Sequence, residues 1–273
     1  MPASRSPSRG TKPAAASPPA VRRRSPWPLI VIGLAAVIAA VIAALPASIV
    51  THFLPAAVRA DDFSGSLWHG SAGRISINAR EAGALEWRLH PTALFGAAVA
   101  ADLHWVNVGF VLDGAVSIDR HGFTAHDVKG GGPIADLRGL GIAAGWSGIA
   151  DVQLKLLQGD FTTPLNAAGD VKVSNLTSAL IAAGEDLGSY DLRFPGGSAN
   201  DGNVAAQLTD TGGPLEVLTT ITYSAKNRTG VLSGTLKERP EASPALRSQL
   251  QNLTQLRGRD PQGRIPVDLE FSL

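Results

Sequence analysis

The chain has 273 residues, 24 basic and 23 acidic side chains and no cysteine. That length admits one large domain or two small ones with a real core, and the missing thiols exclude a disulfide framework, a zinc ribbon and thiol chemistry. Arg5, Arg9, Lys12, Arg22, Arg23 and Arg24 all precede Trp27, whereas the first acidic residue is Asp61. Beyond the tail, 18 basic groups therefore face all 23 acidic ones, a net of about −5, which argues against nucleic acid as a partner.

Residues 1–26, rich in Pro, Ser and Ala, read as a disordered basic tail. From Leu29 to Leu45 the run LIVIGLAAVIAAVIAAL is apolar or glycine throughout, and no charge intervenes between Arg24 and Arg59. As a helix, Leu29 to Val50 spans about 33 Å, one hydrocarbon core. Pro46 is placed to end or kink it, and Trp27 sits where an interfacial aromatic belongs. The basic tail predicts a cytoplasmic N-terminus, a transmembrane anchor over 27–54 and a far-side domain over 55–273. In a bacterium this is a single-pass inner-membrane protein with a periplasmic domain. A cleaved signal peptide ending near Val58-Arg59-Ala60 is the competing reading, for which the run is too long and the gap from Leu45 to Ala60 too wide.

Past the anchor the period changes to two. Ile75, Ile77 and Ala79 alternate in RISINA; Leu85, Trp87 and Leu89 alternate with Glu86 and Arg88; Phe110, Leu112, Val116 and Ile118 oppose Asp113 and Ser117. Val152, Leu154 and Leu156, then Tyr190, Leu192 and Phe194, then Ile265, Val267, Leu269 and Phe271 continue the pattern. Each predicts a strand with one wet face. Glycines in DRHGF, LQGD, AAGD and KNRTG mark the turns of hairpins. Two short helices are expected: one over SPALRSQLQNL, with Ser243 as cap, Pro244 in the first turn and a Leu246, Leu250, Leu253 stripe, and one over Leu176 to Gly184. GGP recurs at Gly131 and Gly212, an echo that a duplicated β-unit would explain. The fold class expected is mainly β: a single transmembrane helix, then an elongated, curved antiparallel sheet or sandwich with a few short helices.

The stretch DDFSGSLWHGSAGRISI, Asp61 to Ile77, invites a chemical reading that fails. Gly65 and Gly70 have Walker-like spacing, yet Ser71 and Ala72 follow where a lysine is needed, and the loop leads into a strand. HGSAG and GWSG miss the nucleophile-elbow spacing. The six histidines, His52, His69, His90, His104, His121 and His126, form no HExxH; His121 and His126 would project to opposite faces, and Asp119 with His121 reads as solvated surface. No catalytic, metal or cofactor site is expected. Trp68 is either a buried anchor at the end of the sheet, with Gly65 and Gly70 letting the backbone bend around it, or an exposed docking residue.

Leu45-Pro46-Ala47 closing the anchor, GSLWHG with Gly65, Leu67, Trp68 and Gly70, LEWRLHPTALF with Trp87 and Pro91, and GGPLEV with Gly212, Gly213 and Pro214 together resemble the type II secretion system protein N family, as does the stretch Leu232 to Leu253. Ser66 replaces the threonine usual in that family's pattern but keeps a hydroxyl. The resemblance spans most of residues 45–273. It implies a non-enzymatic inner-membrane component of the machine that exports folded proteins across the outer membrane, docking on periplasmic subunits such as the secretin or the trans-periplasmic connecting subunit, with strand addition as a natural mode. A one-span anchor followed by a β-meander is also similar to the groove-forming (AsmA/TamB-like) lipid-transfer proteins of the bacterial envelope, in which the apolar face carries lipid. The two differ in whether Trp68, Trp87, Trp105, Phe110 and Leu154 meet a second β-layer or line an open channel.

Overall fold

The computed structural model describes residues 37, 40–140, 142, 144–160, 164–179, 181, 184–196, 203–224 and 229–272. Two compact units divide the chain, Met1–Ile42 and Ala43–Leu273. The expected basic tail and most of the expected anchor lie outside the described residues, among which no helix is long and apolar enough to cross a membrane. The end of the expected span belongs to the second unit: Ala47–Phe53 is a 3-10 helix preceded by a β-bridge between Pro46 and Ser66.

That unit is one antiparallel sheet of 13 strands in chain order. The strands are β1 Val58–Gly65, β2 His69–Ile77, β3 Arg80–His90, β4 Val99–Asn107, β5 Phe110–Ile118, β6 Phe123–Pro133 and β7 Trp146–Gly159, followed by β8 Pro164–Ser178, β9 Asp186–Pro195, β10 Asn203–Gly212, β11 Leu215–Ser224, β12 Thr229–Glu238 and β13 Ile265–Ser272. Each strand bonds only to its chain neighbours, so β1 and β13 are edges. Of the two architectures expected, a single sheet or a sandwich, the single sheet forms, because every connection, short or helical, returns the chain to the strand it has just left.

Alternation within strands becomes a two-faced sheet through register. Directly paired residues share a face, and one row crosses every strand: Phe63, Ala72, Leu85, Trp105, Leu112, Gly130, Val152, Val171, Leu192, Leu208, Thr219, Gly234 and Val267. All are buried or half-buried. The next row, on the opposite face, runs Ser64, Ser71, Glu86, His104, Asp113, Lys129, Gln153, Asp170, Arg193, Gln207, Thr220, Ser233 and Asp268. Apolar and polar residues are thus sorted across the whole sheet.

Turns alternate between two rims. On the rim that holds the β2–β3, β4–β5 and β6–β7 connections, the longer links fold back as helical pieces and build the core. α1, Pro244–Arg257, starts where expected: Ser243 Oγ accepts from the Leu246 N–H at 3.1 Å. Its buried Leu246 and Leu250 pack with Leu187, Leu215 and Ile265. The 3-10 helix Ile134–Leu140 sets Ile134 against Phe110 and Ala150. Trp146 touches both clusters and joins them.

Several local expectations are corrected. Ala79 is a turn residue, since Asn78 and Ala79 both take positive φ, the signature of a two-residue I′ hairpin. AAGD lies inside β8 rather than at a turn. Leu176 to Ser178 extend β8 instead of starting a helix, because Leu176 and Thr177 pair with β9. In β7, register shifts between Leu154 and Leu156, so Leu157, paired with Ala125 and Ala167, joins Leu154 on the apolar face. The two GGP segments differ: Gly131 to Pro133 are the last residues of β6, whereas Gly212 ends β10 and Gly213 and Pro214 make the β10–β11 turn.

Thr219 is the one hydroxyl in the apolar row, 5% exposed, with its Oγ1 lacking a hydrogen-bond partner. Thr219→Val keeps the shape and removes the unsatisfied group. It should stabilise the protein by about 1 kcal/mol, read as a higher urea midpoint with an unchanged slope.

Candidate functional site: a braced corner and a two-faced sheet

The motif residues quoted from three separate segments meet at the β1–β2 hairpin. Ser66 N–H donates to His69 O at 2.9 Å, and Ser66 Oγ accepts from the His69 N–H at 3.2 Å. The incoming chain straps this turn, with Leu67 N–H donating to Leu45 O at 2.8 Å beside the Pro46–Ser66 bridge. From β3, Trp87 Nε1–H reaches Leu67 O at 2.9 Å, while its ring meets Phe63 edge-on at 6.3 Å. Leu89 N–H closes the corner on Trp68 O at 2.8 Å. Pro91 starts the 3-10 helix Pro91–Gly96 on the same rim. Gly70 is required because a Cβ there would lie 2.6 Å from Trp87 Cζ2, 2.6 Å from Ser66 O and 3.0 Å from Ala47 Cβ. Trp68 itself is half-buried, and Trp87 is the indole that ties the segments together.

A second brace holds the β10–β11 turn. Asp210, 8% exposed, accepts from the Val217 N–H at 2.8 Å and pairs with Arg239. Arg239 also donates to Gly213 O at 3.0 Å, and its N–H reaches Pro214 O at 2.8 Å. Gly213 passes so close to Gly188 that a Cβ would sit 2.4 Å from its Cα. Nearby, Tyr190 donates to Leu187 O at 2.6 Å. Burial, with the negative charges of Asp210 and Asp186, pushes its phenol up to about 12.

The histidines divide among separate places. His104 lies 2.6 Å from Asp113, and His90 lies 3.1 Å from Asp102, as exposed cross-strand pairs on the polar face. With Glu86 and Arg88, three of these four, His104, Asp113 and Asp102, line an open depression of about 500 Å³. These pairs went unrecognised because strand register, not sequence spacing, makes them; the His104-to-Asp113 interval becomes legible only once a β4–β5 hairpin is assumed. His121 and Asp119 sit in the β5–β6 turn, where the carboxylate accepts from the His121 and Gly122 N–H groups. The His121 N–H above all holds Asp119 below its ordinary value. His126 lies within β6. Among the described residues no three His, Asp or Glu side chains form a metal-holding group.

On the apolar face, Phe110 is buried in the cluster under the 3-10 helix Ile134–Leu140, and Trp105 packs on it at 5.9 Å while donating to Ala82 O. Trp87 and Leu154 are half-buried. No second β-layer stands opposite them among the described residues.

The model of the family described as type II secretion system (T2SS), protein N, matches residues 56–268, well over half of the chain. No curated protein and no solved structure matches it.

Gly70→Ala should lower stability by about 1–3 kcal/mol through the clash with Trp87 and Ser66. Gly96→Ala, where no atom lies within 4 Å, should stay within about 0.5 kcal/mol of wild type; thermal melts of the pair check both. For Tyr190, the unfolded chain releases its phenol proton near pH 10 while the folded one holds it to about 12. Stability is therefore complete below pH 10 and falls as pH rises through that window. Of the chain's two tyrosines, removing this one by Tyr190→Phe should abolish the ionisation near 12 in an ultraviolet titration of the folded protein.

Proposed function

Because the chain belongs to the type II secretion system protein N family, we propose that it serves that machine as a non-enzymatic, inner-membrane component that docks periplasmic subunits, such as the secretin or the connecting subunit, and so assists export of folded proteins. The observation that carries this reading is the polar face. Its row from Ser64 to Asp268 crosses 13 strands, roughly 58 Å at about 4.8 Å per strand, a breadth suited to a macromolecule rather than a small substrate. Charged groups stand exposed along it, Lys129 among them and Arg193 in its pairs with Asp170 and Asp191, and give the face a charge pattern that a partner can complement.

In this reading the tail is cytoplasmic, the apolar run from Leu29 is the anchor, and the sheet is periplasmic. Val37 and Val41, each 60% exposed, and Ile42, 45% exposed, are side chains a bilayer would cover. In this reading the span gives way to the sheet domain at Leu45, ahead of the bridge between Pro46 and Ser66, rather than at 54. A second reading, carriage of lipid on the apolar face, is favoured by the absence of a second β-layer over that face among the described residues.

Deleting the chain should leave folded substrates accumulating in the periplasm, with their passage across the inner membrane intact. The charge reversal Lys129→Glu, at an exposed position of that row, should cut both export and co-purification of secretion subunits with the full-length protein, at unchanged melting temperature. Intact export in that variant, with phospholipid co-purifying in place of subunits, would replace docking by the lipid reading.

A further inference from the structure

We propose that the rim carrying the β1–β2, β3–β4 and β5–β6 turns rests on the bilayer surface, with Leu94 and Phe95 inserted among the lipids. Leu29 to Leu45 is 17 residues, about 25 Å as a helix and near the minimum for crossing a hydrocarbon core. Leu45 is itself hydrogen-bonded to Leu67 of the β1–β2 turn, and Pro46 bridges Ser66. On the anchor reading only Ala43 and Ala44 separate Ile42 from this contact, which keeps the β1–β2 turn near the membrane interface.

The β3–β4 turn lies on the same rim, about two strand spacings or roughly 10 Å along it. There Leu94 is 52% exposed and Phe95 is 95% exposed, in a tight 3-10 helix closed by Ala97 in the left-handed region. An aromatic and an aliphatic side chain presented together from a rigid turn are what an interfacial contact requires. Further along, the β5–β6 turn exposes Arg120 beside Asp119, a polar tip compatible with the headgroup layer though without net attraction to it. Exposure alone does not single out this rim, since Val108 on the opposite rim is 85% exposed. The tether at Leu45 does.

The proposal rests on the anchor reading, and the test separates the two. Since the chain has no cysteine, single Val37→Cys, Phe95→Cys and Val108→Cys variants of the full-length protein can each carry an environment-sensitive fluorophore. They are reconstituted in phosphatidylethanolamine–phosphatidylglycerol vesicles containing nitroxide-labelled phosphatidylcholine. The expected result is strong quenching at 37 and 95, with a blue-shifted spectrum at 95, and none at 108. Quenching at 37 without quenching at 95 overturns the rim contact while leaving the anchor standing. Equal quenching at 95 and 108 overturns it in favour of a sheet lying flat on the membrane, and no quenching at 37 removes the anchor and this inference together. Leu94→Cys, in the same turn, repeats the measurement should the label at 95 perturb melting.

Discussion

A β-strand has two faces, and which residues occupy which face is a matter of parity alone; in this sheet parity is carried without error from Phe63 to Val267. A slip of one residue at any pairing would invert every strand beyond it. β11 shows how strongly the constraint acts. Thr219 is buried while its neighbour Leu218 is 58% exposed, the reverse of their individual preferences. Val217, Ile221 and Tyr223 outvote them, since their pairing with Leu236, Leu232 and Gly230 sets the register of the strand. Where regular pairing would lose parity, bulges restore it. Asp127 takes a φ of 51° next to the register shift between Asp113 and Ala115, so both Ala125 and Val128 turn inward.

The glycine motifs serve this sheet as clearance. GSLWHG has the look of a ligand loop, but Gly70 makes room for the Trp87 ring, and Ser66 uses its hydroxyl to hold the His69 amide. GGP at Gly212 lets the β10–β11 turn press against Gly188 while Asp210 and Arg239 clamp it. A paired, hydrogen-bonded carboxylate at 8% exposure is tolerated only because all its partners are present.

Strand-scale features were legible from sequence because a half-buried strand writes its geometry as alternation. β5 coincides with the segment read as Phe110 to Ile118, and α1 begins at the cap residue expected. The expected second helix failed for a physical reason: Leu176-Thr177-Ser178 has no strong local preference, and pairing with β9 decided its state. The corner was half-legible. Its glycines and tryptophans stood out, yet nothing in the spacing of Leu45, Leu67 and Trp87 shows that they bond to one another. Likewise the His104–Asp113 and His90–Asp102 pairs exist only through register.

Strict chain-order pairing has a further consequence. Because every strand bonds only to its predecessor and successor, the sheet is nearly one-dimensional, and its stability approximates a sum of nearest-neighbour terms. No strand waits for a distant partner, so little loop entropy is lost before each new contact forms. A chain emerging N-terminus first can therefore lay down β1 and β2 against the strap at Leu45 and then add strands in the order in which they appear. The hairpin corner acts as the seed of that growth, and α1, which waits on β13 before Leu246 and Leu250 can be buried with Ile265, acts as the latch that ends it.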